Sequence, residues 1–313
     1  EYASQYFTFI ALGAPFTIVS LTPSNLLRTE GFARASMTGT VLGSVINMIL
    51  DPVFISVLGL GAAGAAIATV IGNICTDLFF VWFLLARSKR LSVNPAGFHM
   101  TAAEIGEIMA IGIPASITNL MQSLGMAMTN RYLLPYGNDK VAAMGIAMKV
   151  NMIAVLILVG FAFGAQPLIG YNYGAKNKVR LKEILRFCYG FECAAAAVLA
   201  LVLSLAAPAM IRMFMQDDAI IAAGVPMLRM QQLGMVFVAV VLVTTCTFQS
   251  AGKAVGAFLL SVSRQGVVFV AVIMISAKLF GYSGVLLSQA VSDVITAGLA
   301  VVLFGRGIYK EVK

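Results

Sequence analysis

Apolar runs of about 20 residues recur along the whole chain, and each is long enough to cross roughly 30 Å of hydrocarbon as a helix. Of the 313 residues, 60% are hydrophobic and only 11% are charged, whereas a soluble domain carries about 25% charged residues. A soluble protein this apolar would expose large apolar patches. The sequence therefore predicts an all-α polytopic membrane protein whose main partner is the lipid bilayer.

Nine membrane spans are predicted from these runs. They cover residues 4–27, 36–57, 62–86, 105–134, 141–172, 184–211, 219–247, 255–280 and 283–305. Several spans contain proline, which membrane helices tolerate where neighbouring groups rescue the freed carbonyls. The pattern excludes the common soluble fold classes.

The basic residues explain the formal net charge of +8. They concentrate in the loops of one side, as in Arg87–Arg90 and Lys176–Arg186. Cytoplasmic loops of membrane proteins carry the excess of Lys and Arg. This bias places residue 1 outside and the C-terminus in the cytoplasm. It predicts a multi-pass protein of the cell membrane with no nucleic-acid partner.

An internal repeat predicts two lobes. Residues 28–35 are similar to 249–256 at an offset of 221 residues, and 61–64 are similar to 281–284 at an offset of 220. The three spans of 105–211 have no counterpart upstream, so three further helices are expected before the chain. The expected whole is twelve helices in two six-helix lobes that are parallel copies, as in one class of transporter.

The domain prediction follows from this repeat. Residues 1–86 would be the remainder of an N-terminal lobe, helices 4 to 6, and 87–104 a cytoplasmic linker between the lobes. Residues 105–313 would be the C-terminal lobe, helices 7 to 12. Nine of twelve transmembrane helices would thus be present.

A glycine-rich motif, Gly59–Gly64, fits the GxGxxG pattern of dinucleotide-binding folds. Those folds need a strand before the motif and an acidic residue about 20 positions after it. Here the preceding run continues an apolar span, and Asp77 follows too early. The motif is interpreted as a turn between two helices, and no cofactor is expected beyond a coupling ion.

Cysteine and histidine do not predict a catalytic or metal site. The four cysteines lie in apolar runs without metal-ligand spacing. The single histidine, His99, lies in the predicted linker. No catalytic residue and no metal ligand is predicted, so the chain is not expected to be an enzyme.

The polar residues of the second predicted span point to a functional site. Asn47 and Asp51 are four residues apart and share one face of a helix. Pro52 follows, and Thr69 lies on the next predicted helix. An ionisable group in an apolar span is a functional-site hypothesis by default. Together these groups would form an oxygen-lined cation site or a proton acceptor.

Other ionisable residues also fall within or near apolar spans: Asp77, Lys149, Glu192, Arg264 and Asp293. Arg264 and Asp293 are candidates for a structural ion pair on the last two helices. Lys149 is a candidate for a cavity or structural position. Asp77 and Glu192 have no partner assigned from the sequence.

Four segments resemble the multidrug and toxic compound extrusion (MATE) transporters. Residues 47–70 resemble their fifth and sixth helices, and 164–180 the end of their eighth. Residues 248–266 resemble their tenth-to-eleventh helix region, and 290–296 fit the twelfth. The resemblance covers the full chain and is closest to the bacterial drug-efflux branch. It implies a MATE-type two-lobe helical bundle, with this chain as helices four to twelve.

The resemblance also implies a function. The family exports organic cations and other amphiphiles in exchange for H⁺ or Na⁺ by alternating access, here expected as a monomer. In members with a first-lobe ion site, an Asp on the first helix combines with polar groups on helices five and six. Asn47, Asp51 and Thr69 match those later positions, so they are the predicted coupling-ion residues.

The second lobe departs from one family pattern. Some members place a Glu on helix seven, where this sequence has Gln122, and an acid on helix ten, where it has Val238. This departure favours the first lobe as the ion site and leaves Gln122 as a cavity or structural residue. An alternative function is a flippase for lipid-linked precursors. It would need a strongly cationic cavity, and the basic residues in mid-span are chiefly Lys149 and Arg264.

Overall fold

A computed structural model of the chain describes residues 2–87 and 100–308. Throughout these residues the regular structure is helical and no strand occurs. This confirms the predicted all-α class. Contacts divide the chain into two compact units, Glu1–Met100 and Thr101–Lys313.

The first unit contains three long helices: α1 (Tyr2–Thr29), α2 (Ala33–Pro52) and α3 (Gly61–Arg87). A π-helical segment, Val53–Val57, follows α2 directly. Gly59 and Gly61 have φ angles of 67° and 53°, which glycine adopts without steric cost. The glycine-rich motif is thus a turn between helices, and the run before it is π-helix rather than strand.

Close helix contacts in the first unit depend on small residues. A Cβ on Gly43 of α2 would lie 2.6 Å from the carbonyl oxygen of Gly72 on α3. Ser24 and Ser36 share a buried hydrogen bond of 2.9 Å between α1 and α2. Without a hydrophobic force between helices in lipid, such close packing and polar contacts hold membrane helices together.

The second unit begins at α4 (Ala102–Leu133), whose N-terminus has a capping box formed by Thr101 and Glu104. After a 3₁₀ turn come α5 (Asn138–Gly174) and α6 (Lys178–Phe214), each 37 residues long. The shorter helices α7 (Asp218–Gln232) and α8 (Met235–Ser250) follow, bent by 47° at the break between them.

The chain of the second unit continues with α9 (Ala254–Val262), a π-helical segment (Ser263–Val267) and α10 (Val268–Gly307). Within α10, Gly281 has non-helical angles of φ 56° and ψ −130°. A side chain would strain that backbone, so the glycine permits a sharp kink. It separates the segments predicted as the spans 255–280 and 283–305.

The core of the second unit is built where α5, α6, α7 and α10 meet. Fully or almost fully buried side chains there include Val150, Ile211, Met227, Phe269 and Ile273. Other apolar side chains remain on the surface: Leu168 and Phe187 are 57% and 69% exposed. Such exposure of large apolar groups fits a hydrocarbon environment rather than water.

The long apolar helices make this a multi-pass membrane protein. Among the described residues, six helices are long and apolar enough to cross a membrane, or seven if the bent pair α7 and α8 forms one span. This count treats Ala254–Gly307 as a single helix, although that segment contains the kink at Gly281. The predicted number of nine spans therefore stays a prediction. His99 and most of the predicted linker lie outside the described residues.

Candidate functional site

Asn47, Asp51 and Thr69 come together inside the first unit. The Asn47 side-chain amide lies 3.4 Å from Asp51 Oδ1 and 3.3 Å from Thr69 Oγ1. The Thr69 hydroxyl donates to the Ala65 carbonyl at 2.9 Å. All three polar side chains are partly buried. A carboxylate, an amide and a hydroxyl thus form one connected cluster between α2 and α3.

The local sequence explains this cluster. Residues four apart on a helix lie one above the other, so Asn47 stands beside Asp51 on α2. The contact between Gly43 and Gly72 brings the backbones of α2 and α3 together about one turn away. A side chain as short as asparagine can therefore reach Thr69. The GxxxG spacing of Gly39 and Gly43 is the sequence signal for this approach.

Polar residues continue along α3 beyond Thr69. Asn73 Nδ2 donates to Thr17 Oγ1 of α1 at 2.8 Å. Thr76 is buried and donates to the Gly72 carbonyl at 3.0 Å. One turn after Asn73, Asp77 is 8% exposed and its two carboxylate oxygens lack a hydrogen-bond partner among the described residues. Sequence reasoning identified Asp77 but missed the contact between Asn73 and Thr17, which depends on how α1 is rotated.

Arg264 and Asp293 form an ion pair in the second unit. The distance from Arg264 Nε to Asp293 Oδ1 is 2.9 Å, and the two side chains are 15% and 2% exposed. Gln289 also donates to Asp293 Oδ1, at 3.2 Å, and Ser292 donates to the Arg264 carbonyl at 3.1 Å. This arrangement neutralises both charges and holds the Arg264 turn against α10, as a structural pair does.

Gln122 and Lys149 do not join a polar cluster in the described part of the second unit. Both side chains are exposed on the unit's surface. Val238, at the helix-ten position discussed above, is 4% exposed and packs in the interior. Neither Gln122 nor Lys149 hydrogen-bonds to Arg264, Asp293 or Glu192 within the described residues.

Glu192 lies on α6 and is 2% exposed. Both of its carboxylate oxygens lack a hydrogen-bond partner within the described residues. Nothing in the sequence pattern distinguishes it from a residue that pairs with a neighbouring helix. Among residues 2–87 and 100–308, no group of three or more His, Cys, Asp or Glu side chains has an arrangement that would hold a metal ion.

Comparison with known proteins identifies the family. The family model described as MatE matches residues 114–275. The chain belongs to the MATE family. Multidrug export protein MepA of Staphylococcus haemolyticus (strain JCSC1435) is 30% identical over 300 residues, which cover 96% of this chain and 66% of that protein. MepA of Staphylococcus aureus (strain N315) is 29% identical over 254 residues, covering 81% of this chain and 56% of its own length.

Solved MATE structures share the fold. An outward-facing multidrug resistance MATE family transporter has a TM-score of 0.92 at 25% identity, covering 99% of this chain and 70% of the other. A MATE crystal structure in complex with MaL6 has a TM-score of 0.91 at 23% identity. The MATE-type helical bundle and the bacterial drug-efflux branch are thereby confirmed. The chain spans 66% and 56% of the lengths of the two MepA proteins.

Proposed function

We propose that the protein is an ion-coupled antiporter that exports organic cations and related drugs from the cytoplasm in exchange for H⁺ or Na⁺. The observation that carries this proposal is the cluster of Asn47, Asp51 and Thr69, an acid with two neutral polar partners inside an apolar helix pair. Relatives named as multidrug export proteins support the export of drugs. The coupling ion is the only small cofactor in this proposal.

The cluster can bind either ion by a small rearrangement. As placed, Asn47 Nδ2 points at both Asp51 Oδ1 and Thr69 Oγ1, so one carboxylate oxygen faces the amide and the second can accept a proton. A sodium ion requires oxygen ligands, so Asn47 would turn its amide oxygen toward Asp51. The carboxylate, the amide oxygen and the Thr69 hydroxyl would then be three of its ligands.

Pro52 weakens the helix next to Asp51, so ion binding there can change the backbone conformation. Proline has no N–H, so the Met48 carbonyl one turn earlier lacks its helical partner. The backbone then changes to π-helix, where Leu58 N–H donates to the Val53 carbonyl at 2.9 Å. Charge neutralisation at Asp51 acts directly beside this weak point. An ion that binds one conformation more tightly shifts the population toward it, and alternating access uses such a shift.

The proposal places the protein in the cell membrane as a monomer, with the C-terminus in the cytoplasm. The bilayer and small amphiphilic or cationic substrates are its partners, and nucleic acid is not. Arginine and lysine in loops of one side support this orientation. The cationic substrates would leave the cytoplasm while the ion enters from outside.

The decisive experiment substitutes Asp51→Asn in the protein as its gene encodes it. Ethidium uptake into inside-out vesicles, which corresponds to export from the cytoplasm, is measured with a proton gradient alone and with a sodium gradient alone. The wild type should respond to one gradient, and Asp51→Asn should lose that response while its thermal unfolding stays unchanged. Asp139→Asn, which alters an exposed acid on the first turn of α5, is the control. Normal ion-driven export by Asp51→Asn would refute the assignment.

A further inference from the structure

A groove with a volume of about 690 Å³ runs between α5 and α6 of the second unit. Its walls are apolar and include Phe161 and Leu168 of α5 and Phe187 of α6. These three side chains are 51%, 57% and 69% exposed. The groove is therefore open to the surroundings of the two helices, which in a membrane are lipid. We call it the α5–α6 groove.

Two glycines of α5 line the groove. Gly160 and Gly164 have the GxxxG spacing, which in membrane proteins usually lets a second helix approach closely. Here a Cβ added to either glycine would meet nothing within 4 Å, whereas a Cβ on Gly43 would collide with the backbone of α3. No described helix therefore packs against this pair. The two glycines keep a space open instead of closing a helix contact.

The groove is about as long as one leaflet of a bilayer is thick. Its lining extends from Leu156 to Ile169 on α5 and from Arg180 to Glu192 on α6. At 1.5 Å per residue these walls are about 18–20 Å long. The hydrocarbon core of a bilayer is about 30 Å thick, so one leaflet contributes about 15 Å. The groove thus extends from the turn between α5 and α6 to about the middle of the bilayer, as an acyl chain does.

The end of the groove at this turn is strongly basic. Segment 176–186 contains one acid, Glu183, and five basic residues: Lys176, Lys178, Arg180, Lys182 and Arg186. All six side chains are exposed. Arg180 belongs to the lining itself. It lies 3.0 Å from Glu183, but the two side chains are 66% and 60% exposed. Ion pairs this exposed are weak, so the guanidinium can exchange Glu183 for a phosphate.

The turn also places a lysine in a conformation that is unfavourable for it. Lys176 has a φ of 53° and is, among the described residues, the one non-glycine residue with a positive φ. This left-handed conformation crowds a Cβ, and Gly or Asn adopts it more readily. A residue held in such a conformation is a candidate for a function. Lys176 adds a second cation four residues before Arg180, at the same end of the groove.

The far end of the groove is apolar where it is open. Glu192 contributes to the lining there, but both of its carboxylate oxygens are buried. The rings of Phe161 and Phe191 line the same end, with centroids 4.5 Å apart. The groove is therefore basic at the turn and apolar toward the middle of the bilayer.

We propose that the α5–α6 groove binds one anionic phospholipid. Its phosphate lies at Lys176 and Arg180, and one acyl chain runs past Gly164 toward Phe161 and Phe191. Basic pockets between transmembrane helices on the cytoplasmic side bind anionic head groups, and buried CH₂ groups of the chain add to the affinity. The turn faces the cytoplasmic leaflet in the orientation proposed above. The site goes beyond the proposed transport function, because neither the substrate nor the coupling ion occupies it.

The test measures which lipid the purified full chain retains. Native mass spectrometry from detergent micelles uses equal amounts of dioleoylphosphatidylglycerol and dioleoylphosphatidylcholine, which share their acyl chains and differ in head-group charge. It gives the ratio of the two lipids in the complex with one bound lipid. The wild type should retain the anionic lipid about fivefold or more over the zwitterionic one. Glycerol 3-phosphate, which has the phosphate but no acyl chain, should not displace the lipid.

Removing the two cations should remove this preference. The double variant Lys176→Asn with Arg180→Gln introduces at position 176 a residue that tolerates the turn, and its lipid ratio should fall close to one. Arg34→Gln with Arg306→Gln is the matched control, because it removes two exposed basic residues outside the groove. The control should keep the wild-type ratio.

Filling the groove tests the position of the acyl chain. Gly164→Leu adds an apolar side chain whose Cβ displaces no neighbour, and it should lower retention of the anionic lipid by roughly fivefold or more, because the chain loses buried CH₂ groups. Gly298→Leu on α10 is the control, since that glycine is also exposed and its Cβ would also meet nothing within 4 Å. Asp51→Asn should retain the lipid as the wild type does, even where ion-driven export is lost, so the two proposals fail separately.

Several results would overturn the lipid site. They are equal retention of the two lipids by the wild type, an unchanged ratio in Lys176→Asn with Arg180→Gln, equal retention by Gly164→Leu and Gly298→Leu, or displacement of the lipid by glycerol 3-phosphate. A dimer of the chain that Gly164→Leu dissociates would also overturn it, because a second copy would then occupy the groove. Thermal unfolding without added lipid checks that each variant is folded. If Gly164→Leu does not fold, Gly160→Ala with Gly164→Ala takes its place, and undiminished lipid retention there would equally refute the site.

Discussion

Gly43 and Gly72 bring the backbones of α2 and α3 into contact. A Cβ on Gly43 would lie 2.6 Å from the Gly72 carbonyl oxygen, and a Cβ on Gly72 would lie 2.7 Å from the Gly43 carbonyl oxygen. Asn47, one turn along α2 from Gly43, reaches Thr69 across this narrow gap. The glycine contact therefore sets the helix separation that the polar cluster needs.

Replacing Gly43 by Ala should destabilise the protein and separate Asn47 from Thr69. The added methyl group has to displace backbone atoms, and such overpacking costs about 1–3 kcal/mol. The measurements are the thermal unfolding temperature in detergent and the rate of ion-driven ethidium export, and both values should fall. Gly145→Ala on α5 is the matched control, because its added Cβ meets nothing within 4 Å. Equal behaviour of the two variants would contradict the contact.

Thr69 should contribute through its hydroxyl rather than its shape. Thr69→Val keeps the volume but removes the oxygen that lies 3.3 Å from Asn47 Nδ2. An unsatisfied buried partner costs about 1–3 kcal/mol, so the ion concentration for half-maximal export should rise roughly fivefold or more. Thr69→Ser keeps the hydroxyl and should retain most of the ion affinity. If export by Thr69→Val and by Thr69→Ser depended equally on ion concentration, Thr69 would not belong to the site.

Breaking the ion pair of Arg264 and Asp293 should be strongly destabilising. Arg264→Ala leaves the Asp293 carboxylate buried, with Gln289 as its one remaining side-chain donor among the described residues. Removing one partner of a buried pair typically costs about 3–5 kcal/mol. The double variant Arg264→Met with Asp293→Leu removes both charges and should recover most of that loss. Thermal unfolding of the single and double variants measures the coupling. Additive losses would show that the pair does not act as a unit.

The capping box at the start of α4 should give the second unit a stability that depends on pH. The Thr101 backbone N–H and hydroxyl both donate to Glu104 Oε2 at 2.8 Å. These two bonds, the backbone one first, hold the pKa of the Glu104 carboxyl below its ordinary value of 4.5. A carboxyl whose pKa is lower in the folded state stabilises the protein above its unfolded pKa. That contribution is lost as the pH falls through the folded value.

The measurement compares thermal unfolding of wild type and Glu104→Gln between pH 7 and the acid side of the Glu104 titration. The wild type should lose its advantage over Glu104→Gln as the pH falls below 4.5. Glu107→Gln, one turn further along α4, should follow the wild type across the same range. A difference between wild type and Glu104→Gln that stays constant with pH would show that the capping carboxylate is not responsible.

Much of the helical layout could be predicted because it depends on local pattern. Apolar length places the spans, and the break predicted between residues 280 and 283 coincides with the kink at Gly281. The spacing of Asn47 and Asp51 places both on one helix face, because that geometry is fixed within a single helix. Thr69 could be proposed as their neighbour only through the family resemblance and its place on the next helix.

Contacts that depend on helix rotation could not be predicted. The approach of Gly43 to Gly72 needs the relative rotation of two helices, although the GxxxG spacing was a usable signal. Whether Glu192 finds a hydrogen-bond partner depends on which side chains α5 and α8 place beside it. A single sequence does not contain that information. Side chains of α5, α6 and α8 line a cavity beside Glu192, which is a property of packing rather than of pattern.

The ion pair of Arg264 and Asp293 has a consequence for the electrical behaviour of the protein. Its charges sum to zero, so the membrane voltage does no net work on the pair when Arg264 and Asp293 move together by the same displacement. Asp51 has an amide beside it and no basic side chain among the described residues. Carrying one elementary charge across the membrane involves about 2.3 kcal/mol per 100 mV. The voltage sensitivity of transport therefore depends on whether Asp51 moves as a bare carboxylate or as a carboxylate neutralised by its ion.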